Sequence, residues 1–232
     1  MFCSGKYRRS CIFTGTDKFG LRFFLFCARI RSVNIIKITK ENIEETAREI
    51  ASVIKNNGVV ILPFDTVYGY ACDPKSEEAL QKIFRLKNRD INKTIGLAAS
   101  EIKNIQEISQ LDINAEKYIK DHVPSKYTFI IKAKEDVDIS KLCMKEGTVG
   151  VRIPDSKLVL DIIGSSSGII AQTSANKSGL PDCYSIDELF TQYSKDELDQ
   201  INMIINGGEI EKSGPSQIVN LTGNEPKEIE RS

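Results

Sequence analysis

Apolar residues recur in two rhythms along this chain. Ile43, Ala47, Ile50, Ala51 and Ile54 fall three or four apart, the spacing of one helix face. Thr39 is placed to cap that helix, and Gly58 to close it just past its end. The rhythm then changes. Residues 59–62 form an unbroken apolar run of strand length, and Pro63, which has no N–H to give a ladder, ends it. An acid, a hydroxyl and a phenol follow at once in Asp65, Thr66 and Tyr68, with Gly69 behind them. Polar side chains at the exit of a buried strand commonly face a ligand crevice.

The alternation of rhythms continues to the end. An edge-like strand is expected at 33–38. Ser76 caps a second helix whose apolar face is Ala79, Leu80, Ile83 and Phe84. Strands are expected at 94–98, 127–133, 148–153, 169–172 and 203–205, with a last one at 216–221. Helices are expected at 101–108, 115–120, 157–163, 186–193 and 195–199, and a short one at 137–142. Helices and strands interleave without a regular βαβ repeat. The pattern therefore predicts an α/β fold: a single domain at 33–222 with a twisted, mixed open sheet and flanking helices. Residues 223–232 read as a charged, frayed tail.

Charge changes the picture at the N-terminus. The 232 residues balance 32 basic against 32 acidic side chains. Residues 1–31 hold seven of the basic ones and a single acid, Asp17, which leaves 25 basic against 31 acidic in the remainder. A basic arm, 1–32, thus precedes an acidic body. Its apolar part, 21–30, is interrupted by Arg22 and Arg29 and fits a secretory signal poorly. An organelle presequence fits it better, and a dispensable extension from an upstream start codon fits it as well. The compartment expected is the cytoplasm, or the mitochondrion if the arm is a presequence. No apolar run reaches the roughly 18–20 residues that span a bilayer, so no membrane partner is expected.

The six cysteines are scattered, with no C-x-x-C pair; in a chain able to bury a full core they read as free thiols. The single histidine, His122, has no cysteine cluster near it for zinc and no serine–acid arrangement for a hydrolase. Neither a G-x-G-x-x-G nor a P-loop pattern occurs.

Four clusters hold the candidate chemistry: Asp65-Thr66-Val67-Tyr68-Gly69, Lys87-x-Arg89 with Lys93 beyond it, Thr148-Val149-Gly150-Val151-Arg152, and Thr173-Ser174-Ala175-Asn176-Lys177-Ser178-Gly179. Lys87 and Arg89 can splay around a polyphosphate, or simply favour a helix C-terminus. Arg152 lies in an apolar strand on one face with Gly150 and Thr148. It must face water or find an anion: a substrate carboxylate, a phosphate, or Asp155. Ser174 and Asn176 can hold a phosphate or hydroxyl, or bond their own turn. Gly214-Pro215-Ser216-Gln217 is a weaker anion turn.

In this order the clusters resemble the threonylcarbamoyl-AMP synthase (Sua5/YciO/YrdC) family over about 35–221. Leu62-Pro63-Phe64-Asp65-Thr66-Val67-Tyr68-Gly69 is similar to its signature strand exit, Lys87-Asn88-Arg89 to its Lys-x-Arg element, and Thr173 through Gly179 to its Thr-Ser-Ala-Asn-x-Ser-Gly element. The resemblance implies an open α/β sheet around a basic cavity. It implies an ATP-dependent nucleotidyltransferase that condenses L-threonine, bicarbonate and ATP, with Mg2+, to threonylcarbamoyl-AMP and pyrophosphate. A downstream tRNA threonylcarbamoyl transferase would then modify the adenosine next to the anticodon. Lys87, Arg89, Ser174 and Asn176 would be catalytic, with Thr148 and Ser216 also on the nucleotide side and Asn176 on the metal. Thr66, Tyr68, Lys93 and Arg152 would hold the other substrate.

The alternative is a tRNA or double-stranded RNA-binding module of the same fold without efficient adenylate synthesis. The chain departs from the family at Phe64, where Thr is usual, at Lys93-Thr94, at Ser125-Lys126, and at Gln217. No second domain of the longer family forms is expected.

Overall fold

The computed structural model describes residues 33–39 and 41–230, together with two short strands nearer the N-terminus. Residues 1–32 and 33–232 are separate compact units. In the first, β1 (Thr14–Thr16) pairs antiparallel with β2 (Arg22–Phe24). The rest of that arm, on which the presequence and extension readings fall, lies outside the described residues.

The second unit is α/β. After β3 (Ile35–Lys37) come α1 (Ile43–Lys55), β4 (Val60–Pro63), β5 (Tyr68–Cys72), α2 (Glu77–Lys87) and β6 (Gly96–Ala99). Then follow α3 (Ile102–Ile108), α4 (Ile113–Asp121), β7 (Tyr127–Lys132), a 3-10 turn (Lys141–Cys143), β8 (Met144–Lys145) and β9 (Thr148–Arg152). The chain continues through α5 (Lys157–Ser165), β10 (Ile169–Ser174), α6 (Ile186–Gln192), α7 (Lys195–Leu198), β11 (Met203–Asn206), β12 (Gln217–Asn220) and β13 (Lys227–Ile229).

The strands form one mixed sheet in the order β13-β12-β7-β9-β6-β10-β5-β4-β11-β3, with β8 paired to β9. β12–β7, β9–β6, β4–β11 and β11–β3 are parallel, and the remaining neighbours antiparallel. On one face Ile50 and Ile54 of α1, with Val159, Ile162 and Ile163 of α5, pack on Val60, Leu62, Ala98, Ile170, Met203 and Ile205. Each such side chain contributes about 1.5–3 kcal/mol by burial. The helices α2, α3, α4, α6 and α7 close the opposite face with a larger core that includes Ile83, Ile105, Ile119, Leu189 and Leu198.

Several sequence expectations change. Thr39 does not cap α1; Asn42 sits at that position, and its side chain reaches back to accept from Thr39 N–H (2.8 Å) and donate to Lys37 O (2.9 Å). The left-handed residue closing α1 is Asn57 (φ 59°), not Gly58. Gly58 is needed for space instead: a Cβ there would lie 2.4 Å from Val53 Cγ1. Tyr68 and Gly69, read as part of the polar exit that starts at Asp65, instead begin a strand, Tyr68–Cys72, buried along its length. The expected helix at 137–142 is only the 3-10 turn. Within the tail read as frayed, 227–229 pairs antiparallel with β12.

Candidate functional site

Helices α1 and α5 leave part of their sheet face open, and there a cleft of about 320 Å3 forms. Strand alternation builds its floor. Phe129 and Ile131 of β7 point into the opposite core, so Thr128 and Ile130 face the cleft. Val149 and Val151 of β9 likewise point away, and Thr148, Gly150 and Arg152 face it. Gln172 and Ser174 of β10 complete the floor, with Ser216 at its far wall. Gly96 and Gly150 keep the floor low. A Cβ on Gly150 would meet only Thr128 Cγ2 at 3.5 Å, an ordinary contact. These glycines hold open space rather than relieve a clash.

Among the described residues three cations line the cleft, Arg89, Lys145 and Arg152, and no carboxylate does. Arg152 is nevertheless balanced from behind. Its Nη2 donates to both oxygens of Asp65 (2.7 Å to Oδ1) and to Ser125 O (3.1 Å), and its Nη1 lies 3.3 Å from Thr66 Oγ1. The two charged side chains are 2% and 3% exposed. Asp155 contributes its backbone N–H to Asp65 (3.1 Å), not its carboxylate to Arg152. The anion that Arg152 requires is thus Asp65. Such a buried pair adds little net stability, but losing one partner strands the other charge.

At the start of β6, Arg89 Nη2 donates to Thr94 O (2.6 Å). Next to it, Lys87 ends α2 under the strand-to-turn junction at Ser174. Its Nζ donates to the backbone carbonyls of Ser174 and Asn176 (2.6 Å to the latter). It also lies 3.4 Å from Asn176 Oδ1 and 3.5 Å from Ser174 Oγ. Burial, with Arg89 nearby, brings its ammonium down to about 7. The turn is closed further by Ser174 Oγ donating to Asn176 Oδ1, by Asn176 Nδ2 donating to Leu180 O (2.7 Å), and by Ser178 N–H donating to Lys87 O (2.8 Å).

Of the ten residues singled out from sequence, Thr66, Arg89, Thr148, Arg152, Ser174 and Ser216 line this cleft. The other four do not. Lys87 and Asn176 sit behind Ser174 and shape its turn. Tyr68 is fully buried; its phenol donates to Gly208 O (2.7 Å) and accepts from Gly207 N–H (3.1 Å), away from the cleft. Lys93 is exposed on the turn that follows α2, off the lining. Phe64, where a threonine contact seemed missing, belongs to the core beneath α1 and α5.

Sequence reasoning passed over Thr128, Lys145 and Gln172. For Thr128 a signal existed, because it alternates with Phe129 and Ile131 in a strand already expected. His122 is remote from the chemistry: it stacks on Tyr118 with ring centroids 4.0 Å apart, and its Nδ1 lies 2.7 Å from Tyr118 O. A second groove, of about 330 Å3, lies between α4 and residues 221–226 and contains none of the ten.

The expectation of a metal on Asn176 meets a poor donor set. Its Oδ1 already accepts from Ser174 Oγ and faces the Lys87 ammonium. Among the described residues no three His, Cys, Asp or Glu side chains gather as a metal site. These residues do not fit a protein-held cation. Cys72, Cys143 and Cys183 are free and buried, and burial raises each thiol, Cys143 to about 12 and Cys183 to about 11. No helix among the described residues is long and apolar enough to cross a membrane.

A mixed α/β sheet with a cationic cleft, floored by hydroxyls and glycines, defines a class of proteins that grip anionic small molecules by placement and charge. The chain belongs to the Sua5/YciO/YrdC family: the Sua5_yciO_yrdC profile, described as "Telomere recombination", matches residues 52–232. It is 30% identical over 172 residues to the threonylcarbamoyl-AMP synthase of Buchnera aphidicola, covering 73% of this chain and 95% of that one. It is 29% identical to a putative threonylcarbamoyl-AMP synthase of Methanocaldococcus jannaschii, covering 81% and 87%.

Among solved structures, P. abyssi Sua5 complexed with L-threonine superposes with a TM-score of 0.73 at 26% identity, over 84% of this chain. The chain spans 55% of the length of that Sua5. E. coli YciO shares the fold, with a TM-score of 0.72 at 21% identity.

Proposed function

We propose that this chain is an L-threonylcarbamoyladenylate synthase. L-Threonine and bicarbonate combine, with loss of water, to an N-carboxylate. One carboxylate oxygen of it forms a bond to the α-phosphorus of ATP. The bond from that phosphorus to the bridging oxygen breaks, and pyrophosphate leaves with the electron pair. Nothing in this sequence requires a covalent enzyme intermediate. Arg89, Ser174 and Ser216 would hold the phosphates and stabilise charge on the departing pyrophosphate. Thr66 and Arg152, the latter fixed in place by Asp65, would seat the amino acid. Lys87 and Asn176 would act through Ser174 by setting its turn. The product would pass to a tRNA threonylcarbamoyl transferase.

The observation that carries this reading is the cleft itself, where Thr66, Arg89, Ser174 and Ser216 converge with Thr148 and Arg152 of one strand and with Lys145. Placement of that kind can supply much of the barrier reduction for a reaction between bound partners. The names of the Buchnera and Methanocaldococcus relatives, and the threonine in the Sua5 complex, support the substrate assignment. The test is pyrophosphate release by the full chain with ATP, threonine and bicarbonate, each omitted in turn. Release is expected only with all three. Release that ignores threonine, or tight salt-sensitive RNA binding with no turnover, would defeat the proposal.

A further inference from the structure

The two ends of the cleft differ in charge. Parallel strands β6 and β9 pair Leu97 with Val151 and Ala98 with Arg152. Two positions earlier Gly96 and Gly150 adjoin, since a Cβ on Gly96 would lie 3.5 Å from Gly150 O. Thr94 and Thr148 precede these glycines by two residues. Arg89 is tethered to Thr94 O. Lys145 is the cross-strand partner of Thr148, whose Oγ1 donates to Lys145 O (2.7 Å). Arg89 and Lys145 therefore stand at the starts of neighbouring strands, while Arg152 stands at the other end of β9 with Asp65 balancing it.

The backbone fixes Lys145 there. The β8–β9 turn has φ 50° at Glu146 and φ 71° at Gly147, the pattern of a tight two-residue hairpin. Lys145 is exposed on the lining, and among the described residues its ammonium meets neither a carboxylate nor another acceptor. Some exposed lysines elsewhere are paired, as in Lys75–Asp138, Lys157–Asp161 and Lys212–Glu188, but those pairs lie off the cleft. A mobile ammonium on a rigid hairpin, across from a fixed guanidinium, suits a polyphosphate better than a single phosphate.

We propose that Lys145 holds the terminal phosphates of the nucleotide and so orients the triphosphate toward the start of β6 and β9. This rests on the reading of the cleft as a nucleotide site. The full chain would be titrated with ATP, AMP and inorganic tripolyphosphate, as wild type, Lys145→Gln and Lys145→Arg, with melts to check folding. Lys145→Gln should weaken ATP and tripolyphosphate by about tenfold, the worth of one charge-assisted contact. AMP should move by less than about twofold, and Lys145→Arg should keep most of the affinity.

Equal losses for AMP and ATP, or no loss for either polyphosphate, would overturn the role. A wild type that binds tripolyphosphate but not ATP would end the nucleotide reading. The Lys145→Gln loss on tripolyphosphate would then still uphold its grip on polyphosphate. A wild type that binds neither would end both.

Discussion

On β4 and β11 the side chains facing α1 and α5 are Val60, Leu62, Met203 and Ile205. On β7 and β9 the corresponding side chains are Thr128, Ile130, Thr148 and Gly150, which line the cleft and are covered by no helix among the described residues. Strands β6 and β10 join the two regions, because Ala98 and Ile170 lie under the helices while Gly96 and Gln172, two residues away, line the cleft. One sheet face is thus divided by side-chain choice alone. The positions under the helices are mostly aliphatic, and the open floor is mostly hydroxyls and glycines, with Ile130 the exception among those on β7 and β9. Burial is concentrated in the first region and the candidate site in the second.

The sharpest way to break that division is at Arg152, which serves both. Arg152→Met leaves Asp65 buried and unpaired and should cost about 3–5 kcal/mol, read as a fall in denaturation midpoint, with turnover lost as well. A wild-type midpoint would show that the pair is not buried as described. Within the covered region, Ile50→Ala should cost about 2–5 kcal/mol while ATP affinity stays unchanged. Gly150→Val should do the reverse, with a melt close to wild type and nucleotide binding reduced at least about tenfold. If both substitutions moved both properties equally, the two regions would not be separable.

A pH series sharpens the boundary at Lys87. Its folded ammonium titrates at about 7, down from 10.5. Below that value both folded and unfolded chains hold the proton, and burial of the charge opposes folding. Between about 7 and 10.5 the unfolded chain binds more protons, so this group's contribution to stability rises with pH. A neutral amine still has two N–H groups for the carbonyls of Ser174 and Asn176. Lys87→Met should flatten the rise in a pH series of denaturant midpoints. An unchanged slope would mean that Lys87 is not the group responsible.

Much of the fold was legible because most of its elements are long and periodic. The helix at 43–55, the strand at 127–132 and the Ser76 cap needed only local spacing. β5 escaped because Tyr68, Gly69 and Tyr70 follow a proline and two polar residues, which mimic a loop. β8 is two residues long, and β13 is a charged strand that pairing alone holds. At the site, the alternation of Thr148, Gly150 and Arg152 pointed to one face correctly. The partner of Arg152 did not show, since Asp65 is 87 residues away and only the folded sheet brings it near. Tyr68 looked available beside Thr66, yet the strand's two-residue period turns its ring into the core.

The pairing of 227–229 with β12 ties the end of the chain to the cleft, because β12 carries Ile218 and follows Ser216, both on the lining. Removing 227–229 would bare the backbone donors and acceptors of that wall and invite a stray strand to dock beside the cleft. A strand that carries mostly charged side chains thus shields one wall of the candidate site.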